Sequence, residues 1–355
     1  MGAITTAPPQ VNSPATLADV ARAAGVDAST VSRVLNARGH RIAQATRERV
    51  VEAARELGYQ PNPIARGLRT ARTYTLGIVV PQLDNPVFPQ IIMGAEAAAR
   101  ERGYSLLISH VDDLDSAAQA YQRLARLSRV DGLLAATNEQ EGQLARALAA
   151  TGLPFVVLNR KLRGVEHHVA FDSHAASRMA TEHLLALGHR RIAHLAGRAV
   201  GYNGVRRLAG YRAALQAAGV EFRTELVVSA GYTFEGGELA MRELLRVRPR
   251  PTGIVAATML AAAGAMKVLH SERIAIPEDV SIVAIHDAAI ADMLYPPLTT
   301  VRLPLREMGA ISARGLIDLI EQKTAVVSAT LAPEHVVVRA SSVSPPRRGR
   351  TARSA

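Results

Sequence analysis

From Thr16 the apolar residues recur at helical spacing. Leu17, Val20, Ala21 and Ala24 share one face, Thr16 stands where a first turn is capped, and Gly25 supplies the left-handed residue that ends it. A second segment, from Ser29, places Val31, Val34 and Leu35 on one side. A third, 44–57, does the same with Val50, Ala54 and Leu57 and stops at Gly58. Three short helices, the first two joined by a tight glycine turn, predict a helix-turn-helix unit over 15–60. The prolines of YQPNP at 61 and 63 then break the pattern. The following 61–73 segment sets basic residues around one large apolar side chain, Leu68, and Gly67 makes it a poor helix on its own. Such a segment is expected to order only when something holds it.

From Tyr74 the period changes. TLGIVVP, YSLLISH, VDGLLAA, PFVVLNR, RRIAHLAG, TGIVAAT and VSIVAIHD are apolar, β-branched runs that read as buried strands. Between them lie IIMGAEAAARERG, AQAYQRLARLSR, EGQLARALAATG, ASRMATEHLLALG, RRLAGYRAALQAAG and AAAGAMKVLHSE, all with helical patterning. Strands alternating with helices predict parallel sheets covered on both faces, and ligands bind such sheets at the carboxyl ends of the strands. No GxGxxG or Walker A sequence opens a helix, so nucleotide-phosphate chemistry is unsupported.

Charge and composition refine this reading. Of the net charge of +11, residues 1–73 carry +5, from ten arginines and five acids, and 341–355 carry +4. Basic ends on a nearly neutral middle suggest a polyanion partner for the ends. Residues 1–14 and 341–355 lack periodicity and are expected to be disordered. With no cysteine there is no disulfide, thiolate metal site or cysteine nucleophile. No run approaches the ~18 apolar residues of a membrane span, and the first residues lack a signal-peptide pattern. A bacterial cytoplasmic protein is expected.

The segments TLADVARAAGVDASTVSRVLN, TRERVVEAARELGYQPNPIARGLRT, TLGIVVPQLDNPVF, RVDGLLAA, HLLALGHRRIAHLAG, RRLAGYRAAL, IPEDVSIVAIHD and PPLTTVRLPLREMG together resemble the LacI/GalR family of bacterial transcriptional regulators, in register from about Thr16 to about Ala340. The resemblance implies an α/β protein with a three-helix helix-turn-helix head, a hinge over 61–73, and a periplasmic-binding-protein-like core with parallel sheets over 74–340. It implies two subdomains, 74–172 with 300–325 and 173–299 with 326–340. Its partners would be operator DNA, a second copy of the chain and a small carbohydrate or acidic derivative, with no membrane and no cofactor. Carried over by position, Ala28, Ser29 and Arg33 would reach base edges, and Arg33 suits guanine because its fork matches O6 and N7. Thr16, Ser32 and Asn36 match positions that hold phosphates; helix-end capping is the structural alternative for Ser32 and Asn36. Leu68 matches a leucine that wedges into the minor groove, flanked by Ala65, Arg66 and Arg69. Packing of that leucine on the core is the alternative.

In the core, Pro86, Val87 and Phe88 would form an apolar wall, Arg207 would hold a ligand hydroxyl or carboxylate, and Tyr232 would stack on the ligand. Asn159 and Asp172 match polar positions near the cleft. Arg207 pairing with an acid, and Asp172 capping a helix, are the structural alternatives. The chain departs from the family twice. Thr258-Met259 replaces the usual Asn-Asp, and His286-Asp287 replaces the usual Asp-Asp. An imidazole cannot accept two bonds as a carboxylate does, so a standard monosaccharide site is not expected. His286 beside Arg207 is expected to make the pocket more positive and to favour an acidic ligand. No histidine spacing suits a metal, and the adjacent Asp172, Ser173 and His174 cannot form a relay, so no enzyme is expected. The other non-enzyme reading is a solute-binding protein of the same core fold. A leucine heptad for tetramers is absent from SSVSPPRRGRTARSA, so the expected assembly is a dimer.

Overall fold

The computed structural model describes residues 15–35, 42–59, 72–111, 114–126, 129–136, 141–323 and 326–345. The 1–14 lead-in, Asn36, most of the 61–73 hinge and the 346–355 tail lie outside the described residues. Two compact units divide the chain at Thr73.

In the first unit α1 (Leu17–Ala24), α2 (Ala28–Leu35) and α3 (Gln44–Glu56) pack around one valine from each, Val20, Val31 and Val50, all fully buried. Burial of each is worth about 1.5–3 kcal/mol, most of what a unit this small has to spend against chain entropy. Thr16 caps α1 reciprocally. Its hydroxyl oxygen accepts the Asp19 N–H at 3.3 Å, and the Asp19 carboxylate accepts the Thr16 N–H at 3.0 Å. Gly25 closes the helix at φ 63°. Leu57 departs from the expected core, since it falls at the C-cap of α3 and is 42% exposed. Ala53 is buried instead, and Tyr59 packs on the cluster.

The second unit has two halves, each built on a six-stranded sheet. The first half begins with β1 (Thr75–Val80), α4 (Val87–Glu101), β2 (Ser105–His110), α5 (Leu114–Arg126), β3 (Gly132–Ala135), α6 (Glu141–Ala149), β4 (Phe155–Leu158) and β5 (His168–Phe171). The second comprises α7 (Ser173–Ala186), β6 (Ile192–Ala196), α8 (Tyr202–Ala217), β7 (Val227–Ser229), α9 (Phe234–Leu244), β8 (Gly253–Ala256), α10 (Met259–Ser271), β9 (Ser281–Ile285), α11 (Ile290–Met293) and β10 (Thr299–Val301). The chain then returns to the first half as α12 (Leu305–Ile320) and β11 (Ser328–Leu331), and ends in the second as β12 (Val336–Val337). The sheet orders are β11-β5-β4-β3-β1-β2 and β12-β10-β9-β8-β6-β7. Every pairing is parallel except β12 on β10. The central strands β3, β6, β8 and β9 are buried along their whole length, as continuous apolar runs require.

Two expected boundaries move. Residues 300–301 belong to the second sheet, and 328–331 return to the first, where β11 runs beside β5 from Ser328 opposite His168 to Leu331 opposite Phe171. The added strand gives the β5 edge a backbone partner it would otherwise lack. The start of the expected disordered tail is also ordered. Ser341 is fully buried, donating its hydroxyl to the Ile282 carbonyl at 2.6 Å and accepting the Thr299 N–H at 2.8 Å. The Ser342 hydroxyl meets Thr299 Oγ1 at 2.9 Å and His183 Nε2 at 3.0 Å. His189 Nε2 donates to the Val343 carbonyl at 2.8 Å. Polar side chains satisfied inside the fold have no reason to be released to solvent.

Candidate functional site

On α2 the apolar side chains turn inward, with Val31 and Val34 buried, and Ala28, Ser29 and Arg33 lie exposed. Ser32 is half-buried beside them. Asp27 precedes the helix and accepts the N–H groups of Ser29 and Thr30 at 3.0 and 3.1 Å. Hydrogen bonds from the Ser29 and Thr30 side chains, with the Thr30 N–H, hold its carboxyl at about 2. The Ser29 hydroxyl donates to Asp27 at 2.5 Å and accepts from Arg33 Nη2 at 2.9 Å, while Arg33 Nε donates to the Ser29 carbonyl at 3.2 Å. Ser29 is therefore fully engaged within the helix, and the Arg33 guanidinium lies along the exposed face. Asn36, Ala65, Arg66, Leu68 and Arg69 lie outside the described residues.

In the second unit a cleft is lined by Gln82, Asn85, Val87, Phe88 and Asn159 from the first half and Asn203, Arg207, Tyr232, Thr258 and His286 from the second. Of the nine core positions singled out from the resemblance, seven meet in one place, Val87, Phe88, Asn159, Arg207, Tyr232, Thr258 and His286, and two, Pro86 and Asp172, do not. All the lining residues but Arg207, which stands in the second turn of α8, lie where a strand has just ended or the following helix begins, as parallel sheets dictate. Val87 opens α4, Asn203 lies in the first turn of α8, and Thr258 caps α10 by accepting the Ala261 N–H at 3.2 Å. Three helices thus bring their positive ends to the cleft. Asn159 and His286 hold left-handed backbone, at φ 60° and 77°.

Asn203 ties the halves together. Its amide donates to the Asn159 carbonyl at 2.8 Å and its oxygen accepts from the Ser173 hydroxyl at 2.8 Å. Gln90 makes a second tie, donating to the Asp287 carbonyl at 3.0 Å. Gln82, Asn85 and Asn203 were missed in the sequence. For Asn203 a signal existed, because it stands four residues before Arg207 on the same helix face. Pro86 precedes α4 and is not among the lining residues. Asp172 likewise stays outside the lining and caps α7, accepting the Ala175 N–H at 3.0 Å. Ser173 is spent on Asn203, so the Asp172, Ser173 and His174 run holds no relay. Among the described residues no cluster of three or more metal-ligating side chains forms, and no helix is long and apolar enough to cross a membrane.

Arg207 is 2% exposed. It donates through Nη1 to the Ala257 carbonyl at 2.6 Å and through Nη2 to His286 Nε2 at 3.1 Å. Its Cζ lies 5.9 Å from the Tyr232 ring centroid, a distance at which the ring face attracts the cation. That ring presses on Gly197, where a Cβ would come within 2.6 Å of it. Among the described residues no carboxylate pairs with Arg207. His286 was expected to add positive charge, and it does not. Burial, and then the neighbouring Arg207 cation, push its imidazole well below 6.5, so it stands neutral. Among the described residues that line the cleft, Arg207 carries the one formal charge, to which the helix ends add partial positive charge.

Residues 16–62 match the family described as bacterial regulatory proteins, lacI family, and residues 181–342 match the periplasmic binding protein-like domain. The HTH-type transcriptional regulator CelR of Thermobifida fusca is 36% identical over 337 residues, covering 92% of this chain and 98% of that protein. The chain belongs to the LacI family. It is therefore a DNA-binding transcriptional regulator. Another LacI-family relative, the ribose operon repressor of Escherichia coli K12, is 32% identical over 313 residues, which is 87% of this chain and 94% of that one. Among solved LacI-family structures, the CelR–cellobiose complex covers 92% of this chain and all of its own with a TM-score of 0.71 at 36% identity. The lac repressor dimer bound to operator and the anti-inducer ONPF covers 93% of this chain and all of its own with a TM-score of 0.80 at 28% identity.

Proposed function

We propose that the chain acts as a homodimeric repressor on a near-palindromic operator, and that a small carbohydrate or acidic derivative in the core cleft controls its hold on DNA. The observation that carries this reading is the convergence of ten residues from both halves on one cleft, in a chain whose head exposes Ala28, Ser29 and Arg33 on one helix face. A ligand touching both halves stabilises whichever arrangement of the halves it fits better, and can shift DNA affinity only by that difference. The CelR–cellobiose complex and the operator-bound lac repressor dimer support the two binding partners by analogy. Exposed Met293 and Tyr295, at 78% and 93%, offer apolar surface for a second copy. In the head, Arg33 reads a base edge, while Thr16, Ser32 and Asn36 position the head on phosphates. Leu68, with Ala65, Arg66 and Arg69 beside it, wedges the minor groove between half-sites.

Footprinting on DNA upstream of the chain's own and neighbouring genes, with and without a panel of sugars and sugar acids, tests this. A protected two-fold symmetric site, displaced by one panel member, is expected, and sedimentation should give a dimer. Protection with no symmetry, or a monomer at the concentration that protects, would refute the reading.

A further inference from the structure

The cleft contains a charge the protein does not neutralise. Arg207 is buried, and its described contacts are a carbonyl, an imidazole and the face of a tyrosine ring. Its Nε has no hydrogen-bond partner. Among the described residues the cleft lining carries this one cation and no carboxylate. The nearby Asp287 cannot serve, because it is committed elsewhere. It accepts from Thr300 Oγ1 at 2.6 Å and from Arg302 Nη2 at 2.6 Å, and pairs with Arg339 Nη1 at 2.9 Å. An unpaired guanidinium withdrawn from water is among the costliest groups a fold can bury.

The neighbouring imidazole adds to the demand. Arg207 can only donate, so His286 Nε2 must accept, and the ring proton must then sit on Nδ1. That Nδ1 is buried and has no partner. Two donors, Arg207 Nε–H and His286 Nδ1–H, thus lie on residues lining the cleft with nothing to receive them. The first turns of α4, α8 and α10 add their partial positive charge. One buried polar acceptor, Asn159 Oδ1, also lacks a partner and can receive a hydroxyl. Val87 and Phe88 supply an apolar wall.

We infer that the effector is an oxyanion, a small hydroxylated molecule whose carboxylate or phosphate is held by Arg207 and His286. This rests on the proposed effector role of the cleft and specifies the charge of what binds there. Asn159 receives a hydroxyl of the same molecule, and the His286 side chain, in place of an aspartate, excludes the neutral sugar. An aspartate at 286 would itself neutralise Arg207 and repel the anion, so this one residue sets the charge class of the ligand.

Titration calorimetry on the full-length protein with matched ligands tests this. The probes are glucose, glucuronate, gluconate and glucose 6-phosphate, cellobiose and cellobionate, with succinate and inorganic phosphate as non-sugar anions. At least one acid or phosphate should bind roughly ten- to a hundredfold tighter than its neutral counterpart, the range of one charge-assisted hydrogen-bonded contact. Which of the two arms wins tells carboxylate from phosphate. His286→Asp, whose side chain tolerates left-handed backbone, should lower anion affinity and raise that of the neutral sugar, each at least tenfold. If that variant does not fold, the wild-type comparison decides alone. A neutral sugar bound as tightly as its acid overturns the inference and leaves the effector role standing. Binding of succinate or inorganic phosphate alone upholds the anion and overturns the carbohydrate. No binding by any probe removes both.

Discussion

At Arg33 a flexible cation is already laid out along the face it would use. Two bonds to the preceding turn, to the Ser29 carbonyl and hydroxyl, hold the guanidinium, and Asp27 in turn holds Ser29. A side chain restrained before binding loses less freedom on binding. With alanine at 28 and a serine whose proton is already given to Asp27, the proposed base readout on this face falls to Arg33. Arg33→Ala should therefore lower operator discrimination by about 1–3 kcal/mol per half-site, and Arg33→Lys should not restore it, because the fork is lost. Competition binding against operators altered one base pair at a time measures this, and unchanged sequence preference in the alanine variant would sink the assignment. Residue types and register were legible in the sequence here, as they were for Val87, Phe88, Asn159, Arg207, Tyr232, Thr258 and His286. The protonation of His286 was not. Burial decides it, and burial depends on neighbours brought from seventy-nine residues away.

Among the elements, helix pairs touch backbone to backbone. A Cβ on Gly94 of α4 would fall 1.9 Å from the Arg306 carbonyl, and one on Gly309 of α12 would fall 1.9 Å from the Ile91 carbonyl. Glycines 215 residues apart in sequence thus bring the two helices together reciprocally. Gly94→Ala should cost about 2–3 kcal/mol, read as a lower urea midpoint by circular dichroism, since backbone cannot yield as a side chain can. A wild-type midpoint would mean that the helices separate freely. The segment after β12 makes a sharper claim. Ending the chain at Ala340 removes the bonds of Ser341, Ser342 and Val343, and should cost about 3–5 kcal/mol, whereas ending it after Pro345 should cost nothing measurable. Both truncations melting alike would contradict this. Long apolar periodic elements such as β1, β9, α4 and α8 could be read directly. The strands β5, β7, β10, β11 and β12, and the helices α9, α11 and α12, were not read: β3, β4 and β8 are as short but stand out as continuous apolar runs, which HVAF and SATL are not, and α12 is defined by what it packs against.

For the whole molecule, several buried histidines set an acid limit. His183, His189, His194 and His286 are all held below 6.5, chiefly by burial, and His194 falls to about 4. His194 is fully buried on β6, bonded through Nδ1 to the Val255 carbonyl at 3.0 Å and stacked on Tyr211. The unfolded chain takes up a proton at this side chain below about 6.5, while the folded chain resists until about 4. The stability it confers is thus complete above 6.5 and drains as pH falls through that window. His194 alone should account for about 2 kcal/mol between pH 7 and pH 5. Urea curves at the two pH values check the loss, and in His194→Gln the difference should shrink by that amount. An equal loss in variant and wild type would place the acid sensitivity elsewhere.

The repeated passage of the chain between the halves bears on how it is made. The first sheet is incomplete until β11 reaches β5, 160 residues back, and the second waits for β12 and the serines beyond it. Pairing across such separations is slow. During synthesis the helix-turn-helix unit, local in its contacts, can condense as it leaves the ribosome, while both halves of the core must wait until residues 328–341 have been made. A message cut short would release a head with no finished core behind it.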